Sequence, residues 1–133
     1  MDNVQALHSF WSSFGVAAID EQSAYDNKTI EELEIDYPYI SYEVATDSFD
    51  NAVSIGADIW DRSTAWDRIT QLAKLINAGI GRGGKIVPYD DGALWITRGA
   101  PFSQRMDAQD VSSAGGYDLR RIHININVEY LSA

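Results

Sequence analysis

Over residues 119–131 apolar and polar side chains alternate, with Ile122, Ile124, Ile126, Val128 and Tyr130 at even positions and Arg121, His123, Asn125, Asn127 and Glu129 at odd ones. A period of two sends successive side chains to opposite faces of a sheet, so this run predicts one long strand with an apolar and a polar face. Shorter alternations recur upstream. Ile40, Tyr42 and Val44 oppose Tyr39, Ser41 and Glu43 after Pro38, and Val53, Ile55, Ala57 and Ile59 carry a second strand to about Arg62, giving an antiparallel hairpin across a turn-like 46–51. Gly56 inside that strand marks a bulge or a close backbone approach. Residues 83–89 and 93–98 read as two further short strands joined by Asp90-Asp91-Gly92.

Two stretches switch to helical spacing. Val4, Leu7, Phe10, Trp11 and Phe14 follow a cap at Asp2 or Asn3 and precede Gly15, predicting a helix over 3–14. Ala65, Ile69, Leu72, Ala73 and Ile76 follow Thr64, with Asp67 three residues on as a capping box, and Gly79 and Gly81 stop a helix over 64–79. Two stretches have no period. Residues 16–37 read as a long acidic connection with a single turn at Ile30 to Leu33, and 99–117 as a long loop with a Gly115-Gly116 hinge before the last strand. The order predicts one α+β domain over residues 1–133, a mostly antiparallel sheet of about five strands with two main helices packed on one face.

Charge and composition narrow the partners. Twenty acidic against ten basic residues give a net charge of −10, which disfavours a phosphate-binding surface and makes nucleic acid an unlikely ligand. With no cysteine there can be no disulfide, thiol nucleophile or cysteine metal site. The acidic start lacks a signal-peptide pattern, and no apolar run nears the ~18 residues of a membrane span, so a soluble intracellular protein is expected.

Candidate chemistry is sparse. Residues 79–85 contain G-x-G-x-x-G, but a helix enters the glycines and a strand leaves them, so phosphate would meet a negative helix end; the run reads as a helix stop. His8 sits beside Leu7 with a partly buried, packing role, and His123 lies on the polar face of the last strand. Asp58 and Asp61 fall on opposite faces of their strand, and Asp90 with Asp91 form a turn. There is no nucleophile elbow, zinc-protease motif or calcium loop, and neither an enzyme nor a cofactor is expected. Trp60 and Trp95 are candidate interface anchors.

The run Leu94-Trp95-Ile96-Thr97-Arg98-Gly99-Ala100-Pro101-Phe102-Ser103-Gln104-Arg105-Met106 and the final strand from Leu119 to Leu131 resemble the tail-terminator, or tail-completion, proteins of long-tailed bacteriophages and prophages. Phe10-Trp11-Ser12-Ser13-Phe14-Gly15 and Tyr37-Pro38-Tyr39-Ile40-Ser41-Tyr42-Glu43 are similar too. The resemblance implies a structural virion protein that forms a ring, commonly a hexamer. Such a ring caps the tail tube and joins it to the head–tail connector protein, with DNA passing through unbound and no membrane contact. Assembly in the bacterial host cytoplasm and a place in the virion tail follow from it. Arg98, Arg105, Arg120, Arg121, His123 and Asn125 are then the expected protein-interface residues. Where the family carries a short acidic segment before Arg120-Arg121, this chain has the Ser-, Ala- and Gly-rich 108–116. The alternatives are a head-to-tail adaptor, a tail-tube subunit, or a small acidic enzyme.

Overall fold

The computed structural model describes residues 1–20, 37–44, 52–63, 65–106 and 118–132. It is an α+β fold with two helices and a six-stranded mixed sheet. The elements are α1 (Asn3–Ser12), β1 (Ala17–Asp20), β2 (Tyr39–Tyr42), β3 (Val53–Ser63), α2 (Asp67–Ile80), β4 (Lys85–Tyr89), β5 (Gly92–Met106) and β6 (Asp118–Ser132). Their order in the sheet is β1-β2-β3-β6-β5-β4. The long alternating strand therefore lies inside the sheet, hydrogen-bonded to β3 on one side and β5 on the other, antiparallel to both.

Its apolar face is the centre of the core. Ile124, Ile126 and Val128 are fully buried, which stabilises the fold by ~1.5–3 kcal/mol per side chain before entropy is deducted. Ala6, Leu7, Phe10 and Trp11 of α1 and Ile69, Leu72, Ile76 and Ile80 of α2 join the same cluster, so both helices cover this face. Helix α1 starts at a capping box, in which the Asp2 carboxylate accepts from Gln5 N–H while the Gln5 amide accepts from Asp2 N–H. None of the described helices is long and apolar enough to cross a membrane.

Several expectations change. Helix α1 ends at Ser12, not 14, and Val4 is exposed rather than part of the buried stripe. Helix α2 runs from Asp67 to Ile80, and its N-cap is Trp66 with no side-chain cap bond; Thr64, the expected capping residue, lies outside the described residues. Gly79 is interior to this helix, and Gly81, at φ 73°, ends it. Gly92 pairs with Tyr89 as the first residue of β5 and is not among the glycines of positive φ.

Two unpredicted pieces of strand matter more. β1 lies inside the stretch read as an acidic connection and pairs parallel to β2, which makes the sheet mixed. β5 does not stop at Arg98 but runs on to Met106. Arg98 faces Ile126 and Ser103 faces Ile124, so residues 99–102 stand opposite Asn125 alone and form a wide bulge. The bulge inverts the alternation: Leu94, Ile96 and Arg98 face the helices before it, Ser103 and Arg105 after it. The rest of the expected loop, the Gly115-Gly116 hinge, the 46–51 turn and the Ile30 to Leu33 turn lie outside the described residues.

Candidate functional site

The face of the sheet turned away from the helices carries the polar side of β6. The β3–β6 register sets Asp58 opposite His123 and Gly56 opposite Asn125. Asp58 is the hub. Its Oδ1 accepts from Arg121 Nε at 2.9 Å and from His123 Nδ1 at 2.9 Å. His123 Nε2 lies 3.1 Å from Asn125 Oδ1, and Asn125 Nδ2 donates to the Pro101 carbonyl at 3.0 Å.

That carbonyl can only accept, which fixes the Asn125 amide with its oxygen toward His123. Both imidazole nitrogens therefore face oxygen atoms, Asp58 Oδ1 and Asn125 Oδ1. The ladder ties β3, β6 and the bulge of β5 together. Asp58 is only 8% exposed, so its negative charge is held by two donors away from bulk water.

Gly56 makes room for this arrangement. A Cβ there would lie 2.8 Å from His123 Cε1, so the expected close backbone approach is the packing of this imidazole. The Glu43 carboxylate accepts from Gly56 N–H beside it. Next along the face, Trp60 donates to Ser41 Oγ at 2.9 Å, stacks on Tyr39 with ring centroids 6.4 Å apart, and lies 5.3 Å from the Arg121 guanidinium.

At the other end the same face becomes apolar. Register places Ile86 opposite Trp95 and Ala93 opposite Leu131, and Ile86, Trp95 and Leu131 are 51%, 37% and 36% exposed. Trp95 is held in place by donation from Nε1 to the Gly83 carbonyl at 2.9 Å. Of the two tryptophans singled out from the sequence, Trp60 is held within the face and Trp95 presents its ring outward.

The six expected interface residues divide between the two faces. Arg121, His123 and Asn125 lie on the face opposite the helices. Arg98, Arg105 and Arg120 project to the helix side, where Arg98 donates to Asn77 Oδ1 at 3.0 Å and the Arg105 and Arg120 guanidinium carbons sit 4.8 and 5.2 Å from the Trp66 ring centroid. Asp58 and Asp61 do fall on opposite faces: Asp61 is fully buried and bonded to Arg68 of α2, with Arg68 Nε at 3.0 Å. This bond raises the Arg68 pKa further. His8 is exposed rather than partly buried, with Nδ1 2.8 Å from the Tyr42 hydroxyl.

Sequence reading identifies Asp58 only as half of an acid pair and gives no role to Glu43 or Trp66, because their partners are set by strand register. Among the described residues no group of three or more His, Asp or Glu could hold a metal ion. Comparison with protein-family models, with curated proteins and with solved structures finds no match for this chain.

Proposed function

We propose that this protein is a structural subunit of a phage tail, a terminator that closes the tail tube as a ring and joins it to the head connector. The observation that carries the reading is the sheet face opposite the two helices, where an internally bonded polar ladder adjoins an exposed Trp95, Ile86 and Leu131 patch. An aromatic anchor rimmed by fixed polar groups is the composition of a protein–protein contact. The ladder commits its donors and acceptors internally, which suits docking better than turnover. The net charge of −10 suits a ring through which DNA slides without adhering.

Native mass spectrometry and electron microscopy with purified tail tubes test this. The wild-type protein should form closed rings at tube ends and make tails competent to join heads. Trp95→Asp should stay folded and lose both properties. Open-ended polymers of the protein alone would favour a tube subunit, and a Trp95→Asp variant that still completes tails would refute the assigned face.

A further inference from the structure

Helix α2 and the second half of β5 border an open groove of about 370 Å³ on the helix side of the sheet. Its walls include Thr70, Lys74 and Asn77 of the helix and residues 102–105 of the strand. Ile122 of β6, opposite Arg105, lines it as well, so the groove lies between α2 and the helix side of the sheet, and its run of four consecutive β5 residues carries it to the edge of that strand. That edge is open: β4 pairs with β5 only from Gly92 to Ile96, and among the described residues no strand pairs with 102–106 on the side away from β6.

The charge of the groove is opposite to that of the protein. Lys74 and Arg105 both line it, no Asp or Glu among the described residues does, and the chain as a whole carries twenty acidic residues against ten basic. Lys74 has no hydrogen-bond or ion-pair partner among the described residues, and Arg105 rests on Trp66 without a carboxylate. The Thr70 hydroxyl, buried in the same wall, has no hydrogen-bond partner either. That oxygen has essentially no accessible surface, so Thr70 meets the groove through its other atoms and not through its hydroxyl. Ala73, Phe102 and Ile122 supply the apolar part of the lining.

We propose that this groove binds an extended acidic peptide segment of a partner protein, added as a further strand along residues 102–106 of β5. Backbone bonds to the open edge provide the strand pairing. Lys74 and Arg105 receive its carboxylates, and alternate apolar side chains settle on Phe102 and Ala73. The site needs no ring and no tail, so it stands or falls separately from the function proposed above.

The test is fluorescence anisotropy with a labelled peptide of alternating glutamate and valine, beside a lysine–valine control, on the full chain. The acidic peptide should bind, the control should not, and binding should weaken as salt rises. Lys74→Glu with Arg105→Glu should weaken it by about tenfold or more, since two attractions become repulsions. Lys74→Glu alone, at an exposed helix position, should leave the melting temperature unchanged while still weakening the peptide. Equal binding of both peptides, or binding indifferent to these variants while circular dichroism shows a native fold, would overturn the proposal. Self-association abolished by the same charge reversals, without peptide binding, would overturn it in favour of a second copy of this chain.

Discussion

Substituting Gly56 by alanine asks whether the His123 ladder holds the strands as described. The added Cβ would lie 2.8 Å from His123 Cε1 and 3.1 Å from Nε2, well inside the ~3.5–4.0 Å of ordinary carbon contact. The ring cannot retreat without loosening its bonds to Asp58 and Asn125, each 2.9–3.1 Å long. Losing bonds of this kind costs about 1–3 kcal/mol, against which replacing glycine in a strand returns about 0.5–1 kcal/mol. The net expectation is about 1–2 kcal/mol of destabilisation, or roughly 3–8 °C in melting temperature for a chain of 133 residues.

Urea unfolding followed by tryptophan fluorescence measures this, and a second background isolates the cause. In His123→Ala the ring is gone; the remaining neighbour, the Glu43 carboxylate 3.3 Å away, is the end of a flexible side chain. There Gly56→Ala should be neutral or stabilising by up to about 1 kcal/mol, a coupling of about 1–3 kcal/mol between the two positions. An equal penalty in both backgrounds would refute the reasoning, because the clash would then be with something other than His123.

Two more outcomes are expected. Arg68→Ala leaves the fully buried Asp61 carboxylate without its cation; because Arg68 is 55% exposed the loss is discounted to about 2–3 kcal/mol, measurable in the same urea unfolding. Burial and the charge of Asp20 push the Tyr42 hydroxyl up to about 12 from its ordinary 10. The folded state thus holds this proton more tightly than the unfolded chain. Its contribution is fully present below pH 10 and lost as pH climbs through about 12. Burial also raises the Tyr130 hydroxyl, so phenolate absorbance should show late-titrating tyrosines, one fewer in Tyr42→Phe, and stability of the wild type should fall over that window more steeply than that of the variant.

How much of the fold is legible in the chain depends on whether the signal is local. The alternation around Ile124 and the stripe from Ile69 to Ile76 identify β6 and α2 because each repeats over several residues. β1 is four residues long among acidic neighbours and reveals itself only through its pairing with β2. The extension of β5 is hidden for a different reason: Gly99 and Pro101 read as chain punctuation, and the bulge they occupy reverses the parity of residues 103–106. The candidate site divides in the same way. That His123 and Asn125 share a polar face is visible from spacing, whereas their meeting with Asp58 and the Pro101 carbonyl depends on register between strands far apart in sequence. Arg105, Arg120 and Arg121 share their charge; the alternation already sets Arg120 on the face opposite Arg121, whereas nothing in the sequence sets Arg105 beside it, where both flank Trp66.

The bulge of β5 also acts as a phase shifter. An alternating strand is a wave with a two-residue wavelength, and the three extra residues between Arg98 and Ser103 advance it by an odd number of half-cycles. One strand thereby delivers Leu94 and Ile96 to the core at one end and Arg105 to a hydrophilic groove at the other, on the same side of the sheet. The consequence of a length change at this point depends on whether the bulge absorbs it: taken up there, it leaves Arg105 opposite Ile122 and facing the groove, whereas a one-residue slip of the ladder beyond it turns that arginine to the opposite face.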